Sequence, residues 1–439
     1  MHSLPAQFLH FARKRKISDA SFIVGGAVRD LLLGKELKDV DIAVKGDALK
    51  IAEEFAAEAG GAFVLLDRDF GIARVVKSGR FLDIAAMRGD SIHSDLAARD
   101  LTINAMAIPL EDLPPQPPIG KGGGEGGYSL LNLIDPFNGK EDLRNGIIRM
   151  VSEENLVKDP LRIIRVFRFS STLGFSIEES TLEAAARLKH LLHPVAGERI
   201  AEELRHILSV RDSRKAMRAM TEGNILRSLF PGLGGEAPGH ALRLYEGTEE
   251  ILNAPSAYFP EYARAISEYF STAYKEACLK FSTVFPDPSS AENAVLRLKM
   301  SGREAEFIRL MTSNRNRIAG LYAESGELGK QAAIRLLKEF RDDIYPLLVL
   351  AIAREHPRDG GIASFCRKLL SFYHEEIKPR MEMPPFVTGD DLISEFRLQP
   401  SPLFGKILGG IEDKTLAGEL KSREDALGEI RKMLETGQY

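Results

Sequence analysis

The feature that most limits how this chain can fold is a change of hydrophobic period near residue 149. Before it, short apolar runs rich in β-branched residues stand at Phe22–Val24, Val40–Val44, Ala62–Leu66, Ile72–Val76 and Phe81–Ala85, with the length and composition of strands. Between the second and third, Ala48–Ala59 carries its apolar residues at helical spacing. After Arg149 the spacing is helical throughout: Ile163, Val166, Phe167 and Ser170 recur at i, i+3, i+4 and i+7, and Leu188, Leu191 and Leu192 behave alike. Ser180 with Glu183 three positions on reads as a capping box that opens another helix. No repeat of fixed period is visible. The pattern therefore predicts an α/β head built on a mixed sheet, followed by an all-α neck, body and tail. We place the head at 1–148, the neck at 149–218, the body at 219–380 and the tail at 381–439. Pro114–Pro118 and Gly122–Gly127 mark 112–128 as a mobile surface loop.

Composition narrows the classes. At 439 residues, 44% hydrophobic and 28% charged, the chain can bury a large core without covalent staples. Two cysteines, Cys278 and Cys366, exclude a disulfide framework or a cysteine-rich zinc module and fit reduced helical cores. Met1–Ala20 has Arg13–Lys16 but no apolar stretch after them, so a secretory signal is not expected. Leu347–Ala353 is too short to span a bilayer. A cytoplasmic protein without a membrane partner is expected. The formal net charge of -4 gives no sign of a nucleic-acid partner.

Three groups of residues carry chemistry. Ile23-Val24-Gly25-Gly26-Ala27-Val28-Arg29-Asp30, closing at Gly34, is a strand running through two glycines into a helix. Such a turn leaves backbone N–H groups free for a phosphate chain, with Arg29 one turn along as a charged fork. A plain glycine turn fits the same residues. Asp39-Val40-Asp41 follows at the start of a strand, where period-2 geometry puts both carboxylates on one face and suits a hard cation such as Mg²⁺. Asp83 on a later strand fits either a third ligand or a structural carboxylate. Asp159 precedes Arg162, Arg165 and Arg168, which recur every three residues on one helix. Read blandly, that is a solvated charge stripe. Beside a phosphate site, Asp159 can instead accept from the exocyclic amine of cytosine or adenine while Arg162 donates to the adjacent ring acceptors. Uracil and guanine present a carbonyl to that carboxylate, an unpaired contact costing on the order of 1–3 kcal/mol.

Together, Gly25–Asp30 and Asp39–Asp41 resemble the signature of the class II tRNA nucleotidyltransferase and bacterial poly(A) polymerase family. Arg99-Asp100-Leu101-Thr102-Ile103-Asn104-Ala105 is similar to the family's Arg-Arg-Asp-Phe-Thr-Ile-Asn-Ala motif, with Ala98 for its first arginine and Leu101 for its phenylalanine. Leu133–Pro136 through Gly139, Asp159–Phe169 and Glu198–Leu204 continue the likeness in family order. The resemblance implies a nucleotidyltransferase-type sheet, Asp39 and Asp41 as metal ligands, and base selection by Asp159 and Arg162. It also implies nucleotide contacts from Arg99, Arg165 and Arg168, with Asp100 near the ribose. The reaction expected is in-line attack of a tRNA 3′-hydroxyl on the α-phosphate of CTP or ATP, releasing pyrophosphate, with Mg²⁺ as cofactor.

Ten residues, Gly89–Ala98, separate Arg88 from Arg99. Family members that add the whole CCA end, and the poly(A) polymerases, carry a longer flexible loop here; members adding only two cytidines resemble this sequence in lacking it. A CC-adding enzyme is therefore expected, ahead of a CCA-adding enzyme, a poly(A) polymerase or a non-catalytic RNA-binding protein. His240–Ile251 and Leu279–Asp287 look like worn traces of an HD phosphohydrolase domain, with Pro286 where a histidine would stand, so no phosphohydrolase activity is expected. The tail resembles the segment that contacts the tRNA elbow. No stable protein partner is expected.

Overall fold

The computed structural model describes residues 3–35, 39–112, 132–233, 238–272, 274–325, 329–355 and 360–437. Most of the expected loop 112–128, and the side chain of Asp39, lie outside them. The chain forms two compact units, Met1–Pro231 and Gly232–Tyr439, a coarser division than head, neck, body and tail.

In the first unit, helix α1 (Leu4–Arg15) precedes β1 (Ser21–Val24), α2 (Gly26–Leu32), β2 (Asp39–Val44), α3 (Ala48–Ala59), β3 (Ala62–Asp67), β4 (Ile72–Lys77) and β5 (Arg80–Ala86). The five expected strands and the helix between them are all present. A short helix, α4 (Ile92–Ala97), and a three-residue strand, β6 (Ala107–Pro109), follow. The six strands form one sheet in the order β3-β4-β5-β2-β1-β6. Only β2 and β5 run parallel, joined by a crossover through α3 and the β3–β4 hairpin. Helix α3 packs across β4 and β5, with Ala48, Ala52, Phe55 and Ala56 buried on its inner face. Phe8 of α1 meets Phe55 edge to face at 5.0 Å. Leu4, Phe8, Phe11 and Ala12 give α1 an apolar face, which the basic run Arg13–Lys16 hides in the sequence.

The head segment continues with α5 (Gly139–Asn145), where the Asp135 carboxylate accepts the Gly139 and Lys140 N–H groups at 2.7 and 2.9 Å. A two-residue strand, β7 (Ile147–Ile148), and α6 (Glu153–Lys158) lead to α7 (Leu161–Leu173). The expected core residues of α7, Ile163, Val166, Phe167 and Ser170, are buried. Strand β8 (Ser176–Ile177) pairs with β7, and α8 (Glu179–Leu188) follows. Its cap is not the expected Ser180. Glu178 accepts from the Thr181 N–H at 2.8 Å and also from the Ser180 hydroxyl, because a carboxylate with two oxygens serves both donors. Helix α9 (Gly197–Leu208) packs on α7 through Ile200, Leu204 and Ile207.

The second unit is helical throughout its described residues. Helix Ile344–Glu355 is buried from Ile344 to Ala353, and Cys278 and Cys366 are buried and form no disulfide. Where HD-like traces were read, helices Pro238–Asn253 and Lys275–Ser282 stand. The ammonium of fully buried Lys280 lies 3.0 Å from both Glu249 and Glu276. Helices Gly389–Ser394, Pro402–Leu416 and Arg423–Thr436 share a core of Leu392, Ile407, Ile411 and Ile430. Among the described residues no helix is long and apolar enough to cross a membrane.

Candidate active site

Strand register lines up the chemistry. Val24, Asp41, Asp83 and Arg74 are successive partners across β1, β2, β5 and β4, so they form one row on one face. Asp41 and Asp83 sit on the parallel pair, and Arg74 grips Asp83 with two bonds of 2.7 and 2.8 Å while lying 4.0 Å from the centroid of Phe81. The backbone of Asp39, opposite Phe81, starts the same strand.

Behind this row the chain turns at Gly25, with φ 68° and ψ -132°. A Cβ there would stand 2.7 Å from Arg99 Nη1 and 3.5 Å from Asp41 Oδ2. Gly25 thus brings the Arg99 guanidinium and the Asp41 carboxylate to one point. Arg99 reaches it because Asp95, buried in α4, accepts from its Nε and Nη2 at 3.0 and 2.9 Å, leaving Nη1 directed to the turn.

The opposite wall is the start of the neck. Asp159 ends α6, and Arg162, the second residue of α7, donates to the Asn155 carbonyl at 3.4 Å. Asn155 in turn donates to the carbonyls of Ala97 and Arg99 at 2.7 and 2.8 Å, tying neck to head. Among the described residues Arg162 has no carboxylate within ion-pair distance, and burial pushes its pKa down. Asp159 is held by Arg199 of α9 at 3.1 and 3.3 Å.

A cleft of about 390 Å³ runs between the two walls. Of the expected residues, it is lined by Asp41, Asp83, Arg99, Asp100, Asp159, Arg162 and Arg165. Gly25 adjoins it through Arg99 and Asp41, whereas Gly26, Arg29 and Arg168 do not line it. Arg29 donates to Asn104 and Asp30 at 2.9 and 3.0 Å and lies over the Phe169 ring. Arg165 donates to Asp100 at 2.8 Å and pairs with Glu203; Arg168 lies 2.7 Å from the other Glu203 oxygen. Two of the three stripe arginines are therefore turned onto carboxylates. Burial alone would raise the Asp100 pKa, but the Arg165 charge and hydrogen bond, with donors from Asn104 and Leu101, bring it down to about 2. Asp95, Arg199 and Glu203 were not singled out in the sequence. Glu198–Leu204 was noted as part of a pattern, but no local spacing says that Arg199 meets Asp159 across 40 residues.

Asp41 offers hard oxygen donors beside a turn without a side chain, which fits a divalent cation. Among the described residues no cluster of three or more His, Cys, Asp or Glu is placed to hold a metal.

A mixed sheet with carboxylates on its central parallel pair, a glycine turn into a helix and an arginine-walled cleft defines a nucleotidyltransferase. Residues 21–149 match the poly(A) polymerase head domain, and 174–234 match the probable RNA- and SrmB-binding site of polymerase A. The chain thus carries a poly(A) polymerase-type head and RNA-binding segment and is similar to the class II tRNA nucleotidyltransferases, enzymes that use divalent metal ions. It is 29% identical to the CC-adding tRNA nucleotidyltransferase of Synechocystis sp., across 92% of this chain and 91% of that protein. It is 27% identical to the A-adding tRNA nucleotidyltransferase of Halalkalibacterium halodurans, across 97% and 92%. Its structure matches the Thermotoga maritima CCA-adding enzyme complexed with tRNA at a TM-score of 0.70 and 26% identity, covering 98% and 94% of the two chains.

Proposed function

We propose that this nucleotidyltransferase adds two cytidines, and no adenosine, to the 3′ end of tRNA. The observation that carries the reading is the segment between Arg88 and Arg99. It is a single capped helix, α4, whose Asp95 binds the Arg88 N–H at 3.1 Å and the Arg99 guanidinium at once. At ten residues the segment, Gly89–Ala98, is too short to reshape the pocket from C to A.

In the proposed cycle Asp159 accepts from the cytosine amine and Arg162 donates to N3 and O2, with Arg199 fixing the carboxylate's direction. Arg99 faces the phosphates beside the Gly25 turn. Asp100, Arg165, Glu203 and Arg168 brace α7 so that Arg162 is held in register. Asp41, together with Asp39, would hold the metal, and a bound Mg²⁺ would supply a lower pKa for the attacking hydroxyl and an offset to phosphate charge. The primer hydroxyl attacks the α-phosphate in line and pyrophosphate leaves. No residue is acylated or phosphorylated.

The test is extension of a tRNA lacking its 3′ end, with Mg²⁺ and CTP and ATP offered singly and together. Growth by two C and no A is expected. A completed CCA overturns the argument from α4. A long A tract identifies a poly(A) polymerase, and RNA binding without extension identifies a non-catalytic protein.

A further inference from the structure

One cleft residue is unexplained by folding. Phe70 sits in the turn between β3 and β4 and is 61% exposed, although it is a large aromatic side chain. The turn makes no demand on it. Asp67 shapes the loop by accepting from the Asp69 and Phe70 N–H groups, both at 2.9 Å. Gly71, at φ 61°, closes it, and its carbonyl accepts from Ala86 N at 3.1 Å, fastening the tip to the end of β5. Phe70 is thus presented on a fixed support. Among the described residues lining the cleft it is the one aromatic. The Arg88 guanidinium lies 5.8 Å from its ring centroid and donates to the Ala98 carbonyl, so the ring is also tied to the end of α4.

Transfer needs two positions, one for the incoming base and one for the terminal residue of the primer. Edge recognition at Asp159 and Arg162 fills the first. The second must accept whichever base ends the primer, and a π-face does so because every base can stack on it. We propose that Phe70 is the stacking platform for the primer's terminal base. This rests on the function proposed above for the same cleft.

The experiment compares wild type, Phe70→Ala and Phe70→Trp on two primers, a tRNA with its terminal base intact and the same tRNA abasic at that nucleotide. Phe70→Ala should lower kcat/KM for the intact primer by roughly 5- to 150-fold, the range of one base–aromatic stack, and leave the KM for CTP within about twofold. Phe70→Trp should restore most of the loss. On the abasic primer wild type should fall by a similar factor, and Phe70→Ala should cost nothing more. The proposal is overturned if the two losses multiply, if the KM for CTP rises instead, or if Phe70→Ala extends the intact primer like wild type. Should wild type extend nothing, the function reading fails by itself. The stack is then read from primer affinity by fluorescence anisotropy: weaker binding of the intact primer by Phe70→Ala sustains it, and unchanged binding overturns it.

Discussion

At Gly25 the backbone adopts φ 68° and ψ -132°, a region that costs a side-chain-bearing residue about 1–3 kcal/mol. An added Cβ would also meet Arg99 Nη1 at 2.7 Å. Gly25→Ala should therefore displace Arg99 from the turn and lower kcat/KM for CTP at least about tenfold, measured by steady-state incorporation. Wild-type turnover would remove the turn from the site. Asp100 makes a second, pH-dependent prediction. Its pKa is about 2 in the fold and near 3.8 in the unfolded chain, a difference of roughly 2 kcal/mol. Because the folded value is depressed, that stability is fully present above the unfolded value and is lost as pH falls through about 2. Asp100→Asn should lower denaturant stability by roughly 2 kcal/mol at pH 7, and the gap from wild type should close between pH 4 and 2. A gap independent of pH would show that the charge of Asp100 is not what Arg165 holds. The sequence made the Asp159–Arg168 spacing visible. It did not show that Asp100, 65 residues from Arg165, and Glu203, 38 residues from it, would occupy two of three arginines. Local spacing carries no information about partners brought in by folding.

Between residues, the elements decide what the cleft can become. The strands β1 to β5 were legible because β-branched runs bounded by turn residues leave few alternatives. Strand β6 was not, because three residues give no period; nor was α1, whose apolar face was masked by the basic run Arg13–Lys16 at its end. The Arg88–Arg99 segment is the instructive case. Its shortness was plain in the sequence, but its character as a helix capped by Ser91, with Asp95 facing inward, appears only in three dimensions. Asp95→Ala would remove the shared acceptor of Arg99 and the Arg88 N–H inside the protein. A loss of about 2–4 kcal/mol is expected, which for a unit of this size is roughly 5–15 °C in a thermal melt. Cytidine incorporation should fall several-fold, because Arg99 loses its anchor. ATP incorporation should not rise, since loosening a ten-residue connection does not lengthen it. ATP use by this variant would mean that the tether itself excludes adenosine.

For the whole molecule, the formal net charge of -4 and a nucleic-acid substrate pose a question of scale. Residues 149–218 hold 13 Lys and Arg against 10 Asp and Glu, which suggests a basic neck for RNA. The structure reduces that excess: Arg165, Arg168 and Arg199 of this segment each face a carboxylate, as do Arg74 and Arg99 of the head, and Arg162 has none within ion-pair distance among the described residues. Around the cleft few cations are then left to displace counterions from RNA phosphates. Each phosphate neutralised contributes about -0.7 to -0.9 to the slope of log K against log salt. If tRNA is held by two to four such contacts, the slope should lie between about -1.5 and -3.5. Measuring the Kd for tRNA across a KCl series checks this. A slope steeper than about -6 would place an unpaired basic surface outside the cleft. A shallow slope fits a cycle in which shape and stacking hold the primer weakly enough for the finished product to leave.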